Sequence, residues 1–162
     1  KTRKPLITLL LLKQNTNKDM ILEKLTEVIN AANAGYLVEY EEASMFNVRA
    51  DQFIKGFKFA YIEEFKEGEI NLSKSYFYNE LTKIQISFSQ ISENRLTALQ
   101  REQIRDNIKE EIVRPFIALY NKNNNFERVN KFKIYSPLAR FDANEISIVI
   151  EFDCVELENN CE

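Results

Sequence analysis

The residues best suited to catalysis or metal binding in this sequence are acidic side chains that cluster in one short stretch. The cluster consists of Glu63, Glu64, Glu67 and Glu69, and a smaller one is formed by Glu41 and Glu42. Paired carboxylates can hydrolyse glycosidic bonds or bind Mg²⁺. Exposed acidic turns are far more common than carboxylate active sites, so we interpret both clusters as solvated surface.

The residue types that most enzymes depend on are missing or scattered. The 162-residue chain has no histidine, which removes the usual general base and the commonest metal ligand. Its two cysteines, Cys154 and Cys161, are too few for a zinc site made of thiolates. Gly35, Gly56 and Gly68 are isolated, so no glycine-rich phosphate loop is present. We therefore expect a non-enzymatic protein with no catalytic residues, no metal and no cofactor.

The composition is that of a globular protein, with 44% hydrophobic and 29% charged residues. Since the net charge is −3, broad attraction to nucleic-acid phosphate is not expected. We interpret residues 1–162 as a single domain, with Cys154 buried in a strand and Cys161 in a loose tail over residues 158–162. Two reduced thiols fit an intracellular setting.

An apolar run near the N-terminus, Leu6–Leu12, follows Lys1, Arg3 and Lys4 as the core of a signal peptide would. Polar residues follow it directly, without a cleavage site, and it is too short to span a bilayer. We expect a buried strand or a buried first helical turn, within an N-terminal arm over residues 1–17. Whether the run is a strand, a helix or a domain-swapped arm stays open.

Two helices are predicted from apolar residues at helical spacing. The first covers about Asp19–Ala34 and ends before Gly35. The second begins at Asn94 or Thr97 and ends at Tyr120, and Thr97 and Gln100 have the spacing of a capping box. Its apolar stripe consists of Leu96, Leu99, Ile104, Ile108, Ile112, Val113, Phe116, Ile117 and Tyr120. Pro115 is expected to kink this helix or to split it after Ile112.

The strands before the second helix suggest a hairpin. Tyr36–Tyr40 is a short strand, and alternating aromatic residues predict a longer one over Phe53–Phe65. Lys66–Glu69 has the composition of a turn, with Gly68 supplying a positive φ. Asn71–Tyr78 would be the returning strand.

Three further strands show alternation of apolar and polar residues. Thr82–Ser89 has isoleucines and Phe88 on one face and polar residues on the other, which predicts one wet face. Phe132–Ile134 and Ile146–Cys154 are the last two strands. The chain is therefore predicted to be an α+β domain, an antiparallel sheet with a long hairpin and one face covered by two helices.

Two segments have features of interaction sites. Aromatic residues alternate with lysines in Phe53–Phe65 and could stack on bases, although packing in the core or on a neighbouring subunit is the favoured interpretation. In the loop between the last strands, Phe141 lies between Arg140 and Asp142. This loop could anchor an interface or form a local salt bridge over a buried Phe141, and the two alternatives stay open.

The order of these elements, and the stretch from Arg114-Pro115-Phe116 to Glu145 with the strand after it, resembles tail-terminator and related neck proteins of tailed bacteriophages. The resemblance implies a virion structural protein, assembled in the host cytoplasm, that forms a homo-oligomeric ring of sixfold or twelvefold symmetry. DNA passes through such a ring as non-specific cargo, and portal, tail or other neck proteins dock on it. No membrane association and no catalytic residue is implied.

Under this resemblance the acidic residues acquire a role. Glu63, Glu64, Glu67, Gly68 and Glu69 would form a channel-lining or inter-subunit hairpin, because negative charge repels DNA phosphate. Arg140, Phe141 and Asp142 would form an interface loop. The main alternative is a small intracellular protein-binding module, immunity or antitoxin-like, that blocks an enzyme through an acidic surface. An enzyme using only carboxylates and a divalent metal is a third alternative.

Overall fold

The computed structural model describes residues 20–40, 54–63, 68–72, 78–93, 95–137 and 144–157, with only the backbone described for 68–72 and 78–82. The predictions for Leu6–Leu12, for the N-terminal arm and for the C-terminal tail fall outside these residues. Within the described part, no helix is long and apolar enough to cross a membrane.

The described elements follow one another as an α+β chain. Residues 20–32 form helix α1. The strands are β1 (Leu37–Glu39), β2 (Lys58–Ile62), β3 (Gly68–Leu72), β4 (Tyr78–Ile91), β5 (Lys133–Tyr135) and β6 (Glu145–Val155). Between β4 and β5 lies a long helix made of α2 (Ala98–Ile108), a π-helical segment (Lys109–Val113) and α3 (Arg114–Tyr120). The α+β class predicted from the sequence is confirmed.

The strands form one mixed sheet in the order β1-β2-β4-β6-β5, with β3 also paired to β4. All pairs are antiparallel except β1 and β2, which are parallel. The sheet that was predicted to be antiparallel is therefore a mixed sheet, with one parallel pair at this edge. Residues 40–57 separate the two parallel strands, and this is long enough for the crossover that a parallel pair requires.

The sheet contains a long hairpin, but it is formed by β3 and β4, and the predicted pairing of Phe53–Phe65 with Asn71–Tyr78 was wrong. β2 and β3 both pair with β4, with Ile62 opposite Ile86 and Gly68 opposite Thr82. They are consecutive segments along the same side of β4, so Gly68 and Glu69 belong to a strand. β3 and β4 follow each other along the chain and pair in opposite directions, and the glycine with a positive φ among the described residues is Gly56 (84°), not Gly68.

One face of the sheet, which we call the helix face, shares its core with both helices. Its buried residues are Ala60 and Ile62 of β2, Ile84, Ile86 and Phe88 of β4, and Ile146, Ile148, Ile150, Phe152 and Cys154 of β6. The same apolar cluster includes Leu25 and Ile29 of α1 and Ile112 and Phe116 of the long helix. An ion pair between Lys24 and Glu156 links α1 to the end of β6.

The opposite face, which we call the serine face, was predicted to be wet and is buried at its centre. Ser87 and Ser89 of β4 are 0% exposed, and Ser147 of β6 is 2% exposed. Phe59 and Tyr61 of β2 lie directly opposite Ser89 and Ser87 on this face. The prediction was wrong because a serine is small enough to be buried beside a large aromatic residue, which simple alternation of polar and apolar residues does not reveal.

The long helix begins as predicted. Thr97 Oγ1 accepts a hydrogen bond from the Gln100 backbone N–H at 3.2 Å, and Gln100 Oε1 accepts one from the Thr97 backbone N–H at 2.9 Å. Leu99, however, is 80% exposed rather than part of the apolar stripe. At 3.6 residues per turn, Leu99 lies on the opposite side of the helix from Ile108.

Pro115 leaves the helix continuous, and the irregularity takes the form of the π-helical segment just before it. Proline has no N–H to offer the carbonyl oxygen four residues earlier, that of Glu111. This oxygen instead accepts a hydrogen bond from Asn33 Nδ2 at 3.3 Å. The end of α1 therefore contacts the long helix at the point where its regular bonding is disturbed.

Cys154 is predicted to be unreactive in the folded protein. The residue is 1% exposed, and its thiol accepts a hydrogen bond from the Tyr120 hydroxyl at 3.3 Å. Burial raises the pKa of this thiol to about 12, and only the thiolate is an efficient nucleophile. In a Cys161→Ser variant at pH 8, maleimide should label the native protein far more slowly than the urea-unfolded protein. The Cys154→Ser variant is the matched control, and equal labelling of native and unfolded Cys161→Ser protein would contradict burial.

Candidate functional site

The predicted acidic hairpin is divided between elements. Glu63 follows β2 directly and is partly exposed, and its backbone N–H donates to the Gln85 carbonyl oxygen at 2.9 Å. Gly68 and Glu69 begin β3, whereas Glu64 and Glu67 lie outside the described residues. The described members of the cluster therefore lie at the end of one strand and the beginning of the next. Its role in lining a channel stays a prediction.

The predicted interface loop, Arg140, Phe141 and Asp142, also lies outside the described residues. Its two ends are anchored to strands. On one side, Ser136 Oγ donates to the Ser147 carbonyl oxygen at 2.9 Å. On the other, the Ser92 backbone N–H donates to the Asn144 carbonyl oxygen at 2.7 Å. The interface and salt-bridge interpretations of Phe141 both stay open.

The features of the described structure best suited to interaction are the two outer edges of the sheet. β1 and β5 are its terminal strands, each three residues long, and within the described chain neither has a strand partner on its outer side. Each carries an exposed apolar residue, Leu37 at 43% and Ile134 at 47%. An unpaired strand edge is a template for pairing with another chain, and natural proteins usually block it.

β1 is held in place by the turn that follows α1. Asn33 Oδ1 accepts a hydrogen bond from the Gly35 backbone N–H at 2.9 Å, while its Nδ2 donates to the Glu111 carbonyl oxygen. The buried ring of Tyr36 packs edge-on against Phe88, with centroids 6.2 Å apart. The strand therefore begins from a fixed point on the core.

Lys58, at the start of β2, reinforces this anchor. Its ammonium group pairs with the Glu111 carboxylate and lies 5.8 Å from the centroid of the Tyr36 ring. Burial, and secondarily the negative charge of Glu111, raises the pKa of Tyr36 above its usual value, so this hydroxyl stays neutral. The neighbouring charges thus support β1 without placing an ionised group inside the core.

A groove of about 650 Å³ runs along β1. One wall is the end of α1, where Thr26, Asn30 and Ala34 present short side chains, and Leu37 and Val38 of β1 form another part of the lining. Residues 56–58, which lead into β2, complete the lining. The groove therefore lies where β1 and β2 begin, beside the end of α1.

β5 is also fixed at both ends. Before it, the Phe132 ring packs against Phe152 with centroids 5.0 Å apart, and Asn121 side-chain atoms bond to both the N–H and the carbonyl of Val129. Within it, the Tyr135 hydroxyl accepts a hydrogen bond from Gln85 Nε2. The two edge strands lie on opposite sides of one sheet and are already held in place, so they need not become ordered when a partner binds.

A row of alternating charges crosses the serine face and ends at β5. Lys83 Nζ of β4 lies 3.8 Å from Glu151 Oε1 of β6, and Lys133 Nζ of β5 lies 3.3 Å from Glu151 Oε2. Lys133 keeps 64% of its side chain exposed. The row thus ends at the sheet edge with a solvent-accessible positive charge.

Within the described stretches, no group of three or more Cys, Asp or Glu side chains is placed to hold a metal ion. The sequence matches no protein-family model and no curated protein. The assignment of function therefore depends on the surfaces described above.

The two sheet edges were not identified from the sequence as sites. Leu37 and Ile134 belong to short apolar patterns that resemble those of buried strands, and position in the sheet decides which strand is terminal. One signal was available: strands of three residues with a charged residue are typical of sheet edges.

Proposed function

We propose that this chain is a structural subunit of the head–tail connector or tail terminus of a tailed bacteriophage, acting by symmetric self-assembly. Copies form a ring of sixfold or twelvefold symmetry through which DNA passes, and portal or tail-tube subunits dock on that ring. The observation that carries the proposal is the pair of anchored sheet edges on opposite sides of each subunit. Two different edges allow head-to-tail contacts, which close into rings when the rotation between copies permits.

The acidic residues fit this function through charge. A channel for DNA must not bind the phosphate backbone, and negative side chains repel it. Glu63, at the end of β2, would contribute to such a lining together with Glu64, Glu67 and Glu69. The net charge of −3 is consistent with a conduit that does not retain DNA.

Ring assembly is tested by light scattering coupled to size-exclusion chromatography. The expected species has six or twelve times the chain mass of 19.1 kDa, and negative-stain images should show a ring with a central hole. The measurement covers micromolar to near-millimolar concentrations, with and without tail-tube or portal protein. A monomer under all these conditions, or a one-to-one complex with a single enzyme, would refute the ring and favour the alternative binding module.

A further inference from the structure

We infer that β5 of one copy pairs with β1 of the next, so that neighbouring sheets become continuous. The inference rests on the proposed ring assembly and specifies the contact that builds it. The strands are antiparallel in a register that places Leu37 opposite Tyr135, Val38 opposite Ile134 and Glu39 opposite Lys133.

The direction of the strands supports this pairing. β1 is parallel to β2, and each later step across the sheet, to β4, β6 and β5, reverses direction. β5 is therefore antiparallel to β1 within one copy. When two copies lie side by side with their helix faces on the same side, β5 of one meets β1 of the other in the antiparallel orientation.

The side chains of the two edges also fall on matching faces. Val38 lies in the same row as Ala60, and Ile134 in the same row as Ile150, so both are on the helix face. The proposed register brings these two together and covers the 47% exposed Ile134. On the serine face it covers the exposed Leu37 with the Tyr135 ring. Aromatic and aliphatic cross-strand pairs of this kind stabilise antiparallel sheets.

The charges distinguish this register from its alternatives. Glu39 opposite Lys133 adds a negative charge to the row formed by Lys83, Glu151 and Lys133, which continues the alternation into the next copy. A parallel pairing would place Leu37 opposite Lys133. Pairing of two β1 strands about a twofold axis would place Glu39 opposite Leu37. The β5-to-β1 contact is thus the most complementary of these pairings.

The contact also has the geometry of a closed assembly. It joins two different surfaces, so each copy keeps one edge for each neighbour, and the chain of contacts ends only when a ring closes. Across the sheet of one copy, Lys133 is aligned with Gln85 of β4, whereas Glu39 is aligned with Ser87 of the same strand. Pairing Lys133 of one copy with Glu39 of the next therefore shifts the strand alignment by two residues from copy to copy. A stagger between strands is what a sheet needs in order to close on itself.

Charge exchange across the contact is the first test. Glu39→Lys places two lysines opposite each other, and Lys133→Glu places two glutamates there, so each variant alone should associate about tenfold or more weakly. An equimolar mixture should regain assembly, because each contact between unlike variants again joins opposite charges. The regained assembly also shows that both variants are folded. Arg101→Glu, at an exposed position of α2, which packs on β4 and β6, is the matched control and should leave assembly unchanged.

Disulfide cross-linking tests the register between β5 of one copy and β1 of the next. In a Cys161→Ser background, Val38→Cys combined with Ile134→Cys should form disulfides between copies, since opposite residues in antiparallel strands have the necessary spacing. Denaturing gels should show a ladder that rises to the ring number. Val38→Cys combined with Tyr135→Cys is the control, because these residues lie on opposite faces and should give no ladder.

The outcomes separate this contact from the ring itself. Rings that form normally in both charge variants, without the expected ladder, would overturn the pairing while leaving the proposed function intact. A cross-linked ladder without an upper limit would support the pairing and overturn the ring. Cross-linking that stops at dimers would overturn the head-to-tail contact.

Discussion

Replacing Phe116 by alanine is expected to lower the free energy of unfolding by about 3–5 kcal/mol. Phe116 is 0% exposed, and its ring lies 5.6 Å from that of Phe88, 5.9 Å from that of Tyr120 and 6.2 Å from that of Phe152, measured between centroids. These contacts join the long helix to β4 and β6. Truncation leaves a cavity in the centre of the core that the surrounding strands cannot close.

Urea denaturation followed by circular dichroism measures this loss. Because the proposed assembly would add apparent stability, the experiment is best done in the Lys133→Glu background, in which association is predicted to be weak. Leu119→Ala is the control on the same helix, since Leu119 is 36% exposed and should cost about 1 kcal/mol or less. A similar effect of the two substitutions would contradict the position of Phe116 at the centre of the core.

Features that depend on local sequence were predictable in this chain. The cap at Thr97 needs only Gln100 three residues later, and the structure has both hydrogen bonds. The alternation from Ile146 to Cys154 fixes the face of β6 that enters the core, because side chains alternate along a strand. Periodicity and helix capping depend on residues that are close in sequence, so they can be predicted without knowing how the rest of the chain folds.

Features that depend on which strands become neighbours were predicted less well. The stretch Lys66–Glu69 has turn composition, but β4 is long enough to pair with β2 and β3 in succession, and Gly68 continues the strand. The direction of β1 likewise follows from its crossover to β2 and not from its own residues. Which strands pair depends on contacts across the whole sheet, and the composition of a single segment does not reveal these contacts.

The candidate site shows the same division. The glutamate stretch around Glu63 was recognised from the sequence because a local excess of charge can be seen in consecutive residues. The edges at Leu37 and Ile134 were not, since an exposed terminal strand and a buried central strand have the same apolar composition. The match of Glu39 to Lys133 becomes apparent only when strand order and direction are known.

Introducing a carboxylate at Ser89 should destabilise the fold by about 2 kcal/mol or more at neutral pH, because a buried charged group loses its hydration. Ser89 is 0% exposed on the serine face, opposite Phe59 and Ser147, and its hydroxyl has no hydrogen-bond partner among the described residues. A wet face, as the alternating sequence suggests, would tolerate Ser89→Asp. The substitution therefore tests whether the sheet is covered on both sides.

The pH dependence of Ser89→Asp makes the test specific. Burial raises the pKa of the new carboxyl above its unfolded value of about 3.9, so the unfolded state releases its proton first and the penalty grows as pH rises above that value. Below it both states are neutral and the penalty is smallest. Ser89→Ala should be nearly neutral at every pH, and Leu99→Asp places the same charge on an 80% exposed position. If urea titrations show Ser89→Asp to be as stable as these two controls, the serine face is open to water.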